Sequence, residues 1–123
     1  MFQGSMVAVV TPMNIDGSLD IASFKDLLDF HIQNHTDGIV VVGTSGEAPT
    51  VDFDEHTFLI KEAINFVQGR IPVIAGTGAN STKEAIFLTK QAKELGADAC
   101  LLVTPYYNKP NQSGLFEHYK AIN

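Results

Sequence analysis

Two adjacent hydroxyls, Thr44 and Ser45, lie between glycines in the run Gly43-Thr44-Ser45-Gly46-Glu47. Hydroxyls and the N–H groups of a turn can hold a carboxylate without any positive side chain. The glycines allow a sharp turn and close approach to a ligand, although a plain Gly-Ser turn leading into a helix has the same composition. A second run, Thr104-Pro105-Tyr106-Tyr107-Asn108-Lys109-Pro110, sets paired phenols between prolines that stiffen it. A phenol both donates and accepts, which suits a proton relay when another hydroxyl is near. The same tyrosines suit a subunit contact, where Tyr is enriched. A third run, Gly76-Thr77-Gly78-Ala79-Asn80, reads first as a tight turn into a helix cap at Ser81.

Other chemistry is thinly represented. His31 and His35 are four residues apart, but no carboxylate or cysteine completes a recognisable ligand set, so no metal site is expected. They read as a packed ring and a helix-end residue. Cys100 lies inside an apolar run and reads as a small core residue. No Ser-His-Asp set and no phosphate-binding P-loop is visible.

The elements that must position these residues follow from hydrophobic pattern. Met6–Val10, Ile39–Val42, Val73–Ala75 and Cys100–Val103 are uncharged, rich in Val and Ile, and do not alternate with polar residues. Strands buried on both faces of a parallel sheet look like this. Helical stripes lie between them: Phe24, Leu27, Leu28, His31 and Ile32; then Leu59, Ala63, Phe66 and Val67 within about Asp54 to Val67; then Ala85, Leu88, Ala92 and Leu95 from Thr82. Asp52 with Glu55, and Ser81 with Glu84, have capping-box spacing, and Gly96 suits a left-handed C-cap. A fourth helix begins near Gln112, with Leu115, Tyr119 and Ile122 on one face, and the sequence ends within it.

The order is therefore four strand–helix units, with no linker or low-complexity segment. The expected class is α/β. One candidate is the N-terminal half of a (β/α)8 barrel, whose full length is ~250 residues; the other is a small doubly wound sheet. Thr11-Pro12-Met13-Asn14 follows the first strand, where a phosphate-binding doubly wound domain would carry a glycine-rich fingerprint. The chemically distinctive runs follow strands two, three and four, as barrel active sites do, so the half barrel is favoured, with residues 1–123 as part of one barrel domain.

Composition limits the partners. With 45% apolar and 18% charged residues, the 123-residue chain belongs among globular proteins. Its net charge of −6 is spread along the sequence, which argues against a nucleic-acid surface. The longest apolar runs fall far short of the ~20 residues of a membrane span. Met1–Ser5 lack the basic residues of a secretion signal, and a single cysteine suits a reducing cytoplasm.

These residues carry a resemblance. Val10-Thr11-Pro12, Gly43-Thr44-Ser45-Gly46-Glu47, Ile71-Pro72-Val73-Ile74-Ala75-Gly76-Thr77-Gly78 and Val103-Thr104-Pro105-Tyr106-Tyr107-Asn108 together resemble the dihydrodipicolinate synthase family, over the whole chain. The glycine-threonine element alone marks only the wider pyruvate-dependent aldolases; the Thr-Pro-Tyr-Tyr-Asn run narrows it. The resemblance implies a (β/α)8 barrel that condenses pyruvate with aspartate semialdehyde in lysine and diaminopimelate biosynthesis. It implies a lysine Schiff base with pyruvate and no separate cofactor.

Residue by residue, Thr44 matches a catalytic relay hydroxyl and Tyr107 the relay tyrosine that reaches into a neighbouring subunit, so a homo-oligomer is implied, a dimer of dimers. Gly43, Ser45 and Gly46 match the substrate-binding turn. Ser45 stands where the family usually has threonine and keeps the hydroxyl. His56, Asn80, Glu84 and Tyr106 match an allosteric lysine site, while Ala48, Pro49 and Phe53 depart from the lysine-sensitive pattern. The Schiff-base lysine, a second tyrosine and a substrate-binding arginine are implied beyond Asn123, so residues 1–123 alone are expected to be inactive. The rivals are a sibling lyase acting on sialic acid or a keto-deoxy sugar acid, and a small non-catalytic α/β binding domain.

Overall fold

Four short strands alternate with four helices: β1 (Met6–Ala8), α1 (Ile21–Gln33), β2 (Gly38–Val41), α2 (Phe53–Val67), β3 (Val73–Gly76), α3 (Thr82–Leu95), β4 (Ala99–Leu101) and α4 (Gln112–Ile122). This computed structural model describes residues 2–123. The sheet order is β1-β2-β3-β4 and every pair is parallel. Helix α1 packs on α2, α2 on α3 and α3 on α4. A doubly wound sheet reverses its strand order at a switch point. Here each unit adds to the same edge, which is the winding of a barrel. No helix among the described residues is long and apolar enough to cross a membrane.

The parallel register aligns Val7, Ile39 and Val73, and it aligns Val41, Ala75 and Cys100. These residues face the helices and join Phe24, Leu28, Leu59, Ile60, Ala63, Val67 and Ala92 in one core. Each fully buried Leu or Ile side chain in that core stabilises the fold by ~1.5–3 kcal/mol. Central β2 is buried on both faces as expected, Val40 included, but the opposite face departs from that expectation at the outer strands. Ala8 is exposed, and Val10 and Leu101 are each about half exposed, because the helices cover only one face.

Strand ends also differ from the pattern-based limits. β2 stops at Val41 because Val42 takes a left-handed φ of 52°. β4 stops at Leu101, the last residue with a partner on β3, so Leu102 and Val103 lie outside the ladder. Helix limits fit more closely. Asp52 and Glu55 form a reciprocal capping box on α2, Asp20 caps α1 through the Ser23 N–H, and Gly96 ends α3 at φ 90°. At the opposite rim, carboxylates tie the strand starts: Asp37 accepts from the Ser5 N–H and Asp98 from the Val73 N–H, both at 2.8 Å.

Candidate active site

The strand C-termini converge on three loops. Beyond β2, Val42 turns left-handed, Gly43 returns to extended backbone, and Thr44–Gly46 form one 3₁₀ turn closed by Glu47 at φ 60°. The Gly43 carbonyl accepts from the Gly46 and Ala48 N–H groups at 3.0 and 3.3 Å. The left-handed residues of this sharp turn are Val42 and Glu47 rather than its glycines. Gly46 instead permits close packing, since a Cβ there would lie 3.2 Å from both the Val9 carbonyl oxygen and Thr11 Oγ1. Thr44 and Ser45 are exposed, and neither hydroxyl has a hydrogen-bond partner among the described residues.

The run after β3 is more than the turn expected. A Cβ at Gly76 would overlap the Val42 carbonyl, and one at Gly78 would overlap the Val103 backbone nitrogen. These glycines let three neighbouring loops meet with almost no space between their backbones. Beyond β4, Asn80 Oδ1 accepts from the Tyr106 N–H at 3.0 Å, and Thr104 Oγ1 meets Tyr119 Oη at 3.1 Å, tying the tyrosine loop to the β3–α3 loop and to α4. Tyr107 sits at φ 50° and is 92% exposed, whereas Tyr106 is about half exposed.

A cavity of about 580 Å³ opens between these loops. It brings together Gly43 and Thr44 with His56, Asn80, Glu84 and Tyr106; Ala48, Pro49 and Phe53 complete one wall. Ser45, Gly46 and Tyr107 do not line it. His56 Nε2 donates to the Gly76 carbonyl at 2.7 Å and its ring is buried. Burial pushes the His56 pKa down, opposed by the Gly76 bond and by the nearby Glu84 carboxylate. Glu84 was expected to close a reciprocal box with Ser81. Its N–H does bond Ser81 Oγ at 3.4 Å, but its carboxylate lines the cavity rather than returning to the cap.

Other candidates lie apart from this end. His31 Nδ1 meets Thr36 Oγ1 at 3.1 Å, and His35 follows the end of α1 at φ 60°. Cys100 is half buried against the core. Among the lysines, Lys109 alone lies in a strand-end loop; the rest are on helices. Pattern reading passed over one buried contact, from Thr11 Oγ1 to the Gly46 carbonyl at 2.7 Å. The Thr-Pro pair marked the residue, but nothing in the linear sequence marked its partner 35 residues away.

The 4-hydroxy-tetrahydrodipicolinate synthase of Nitrosomonas eutropha is 66% identical over 122 residues, 99% of this chain and 42% of that protein. The crystal structure of the chloride-inhibited dihydrodipicolinate synthase from Acinetobacter baumannii complexed with pyruvate is 62% identical, with a TM-score of 0.98 over 99% of this chain and 42% of that one. The Cyanidioschyzon merolae enzyme with lysine bound is 41% identical, with a TM-score of 0.95 over 98% and 41%. The chain thus spans less than half the length of these relatives, and its four units match the N-terminal part of their barrel. The sequence profile of the dihydrodipicolinate synthetase family matches residues 1–123. The chain belongs to the dihydrodipicolinate synthetase family.

Proposed function

We propose that the full-length protein is a 4-hydroxy-tetrahydrodipicolinate synthase, a lyase of lysine and diaminopimelate biosynthesis that condenses pyruvate with aspartate semialdehyde. The observation that carries this reading is the turn beyond β2. It presents two unengaged hydroxyls, Thr44 and Ser45, at the strand C-termini of a chain 62% identical to a synthase whose structure holds pyruvate.

In this reading a lysine outside residues 1–123 attacks the pyruvate ketone and loses water to give an imine. Loss of a methyl proton makes the enamine, whose carbon attacks the aldehyde; the amine of the aldehyde substrate then attacks the imine carbon, closing the ring and expelling the lysine. Ser45 and the turn at Gly43–Gly46 hold the pyruvate carboxylate. Thr44 and Tyr107 pass the proton between solvent and the reacting oxygen. The high exposure of Tyr107 supports its entry into a neighbouring subunit of a homo-oligomer. The reaction is assigned to the cytoplasm and to covalent catalysis without a separate cofactor.

Lysine is assigned as effector at His56, Asn80, Glu84 and Tyr106. Their placement around one cavity and the lysine-bound relative support that assignment.

The test is the intact mass of the full-length protein after treatment with pyruvate and borohydride, which reduces a Schiff base to a stable amine. One pyruvate adduct per chain is expected; an unmodified mass would overturn the reading.

A further inference from the structure

We propose that Thr11 is a positioning residue for the Thr44–Ser45 turn: its hydroxyl, donated to the Gly46 carbonyl, sets the turn at the height where it receives the pyruvate carboxylate. The inference rests on the pyruvate-binding reading above and extends it to a residue on another strand's loop.

Within the turn the Gly43 carbonyl accepts two N–H groups and the Thr44 carbonyl accepts from the Glu47 N–H at 3.1 Å, which leaves the Gly46 carbonyl for a partner outside the loop. That carbonyl points toward the chain that leaves β1, and Thr11 Oγ1 meets it at 2.7 Å. Thr11 is 5% exposed, so water does not compete for this bond. An unpaired carbonyl in that place would be costly, which makes the pairing a constraint on where the turn can sit. The hydroxyl is buried with its proton committed to a carbonyl, so it does not serve as a relay.

Three further observations make the contact a register rather than an incidental touch. The Val9 N–H donates to the Val40 carbonyl at 3.1 Å, carrying the β1–β2 pairing up to the residue before Val10 and fixing the base from which Thr11 reaches. Gly46 has no Cβ, and one built there would stand 3.2 Å from both Thr11 Oγ1 and the Val9 oxygen, a tight contact that a side chain would press against. The turn is also bracketed by Val42 and Glu47, two non-glycine residues at positive φ. Such residues persist where surrounding contacts over-determine them, and Thr11 supplies one of those contacts. The two hydroxyls carried between these anchors remain unengaged, with the backbone beneath them fixed before a ligand arrives.

The experiment uses the full-length enzyme with Thr11→Val, which keeps the shape and removes the donor, and Thr11→Ser, which keeps the donor. Thr11→Val is expected to raise KM for pyruvate by roughly tenfold, because small misplacement of a binding group is costly. KM for the aldehyde should stay within about twofold, and Thr11→Ser should restore pyruvate binding. A Thr11→Val enzyme with wild-type KM for pyruvate overturns the proposal, as does a Thr11→Ser enzyme as impaired as Thr11→Val. If Thr11→Val does not fold, Gly46→Ala presses on the same two atoms; it should raise the same KM, and an unchanged value overturns the idea. A wild-type enzyme that forms no borohydride-trapped adduct removes the activity reading and this inference together. A normal adduct with unchanged pyruvate saturation in Thr11→Val removes only this one.

Discussion

His56 Nε2 and the Gly76 carbonyl oxygen lie 2.7 Å apart, joining the second turn of α2 to the last residue of β3. The ring nitrogen must carry the proton, since a carbonyl only accepts. His56 also lines the cavity shared with Glu84 and Tyr106.

This pair predicts a pH dependence of stability. Burial lowers the His56 pKa below its ordinary 6.5, and the Gly76 bond and Glu84 only partly offset it. Just below 6.5 the unfolded chain binds more protons than the folded one. The contribution is therefore complete above 6.5 and is lost as pH falls from there through the lower folded value. Melting temperature should fall as the pH is lowered below about 6.5, and His56→Gln should flatten that fall. Thermal denaturation at several pH values checks it; equal slopes in both proteins would remove His56 as the cause.

The glycines at the strand ends should differ sharply in tolerance. Gly76→Ala forces a Cβ into the Val42 carbonyl, and a loss of ~3 kcal/mol or more is expected. At Gly43, φ is −82° and the nearest neighbour of a Cβ is Val40 Cγ1 at 3.5 Å, so Gly43→Ala should cost less than ~1 kcal/mol. Urea denaturation of both variants decides the matter, and similar losses would contradict the geometry.

Tyr107→Phe removes a hydroxyl from a side chain that packs little within its own chain. Turnover of the full-length enzyme should fall by roughly 10²-fold with little change in melting temperature. Steady-state kinetics beside calorimetry would expose the alternative, a purely structural tyrosine, through lost stability and preserved turnover.

Lysine at millimolar concentration should inhibit the full-length enzyme, and Glu84→Gln should abolish that inhibition while sparing most of the turnover. Glu84 offers a carboxylate in the cavity instead of completing the α3 cap, so the change removes charge without removing a second cap bond. Flat activity across the lysine titration would sink the assignment.

Much of this arrangement is legible in the linear sequence because its causes are local. Uncharged Val-rich runs mark the strands, apolar stripes mark the helices, and Asp52 with Glu55 caps α2 within one turn. Strand limits were less legible, since pairing with a neighbour, rather than composition, ends β4 at Leu101. The hydroxyls of Thr44 and Ser45 and the paired tyrosines were visible as chemistry, and the family resemblance rested on the same runs.

Tertiary structure alone decided what those residues meet. Glu84 has the spacing of a capping-box residue, yet its carboxylate goes to the cavity where His56, from another helix, lies close enough to feel its charge. Gly76 looks like a turn glycine, but its lack of a side chain serves the Val42 backbone of the adjacent loop. Thr11 finds Gly46 across 35 residues. Local propensity acts over a few bonds, so it can be read along the chain; contacts between strand ends depend on the register of the whole sheet, which exists only once β1 to β4 have paired.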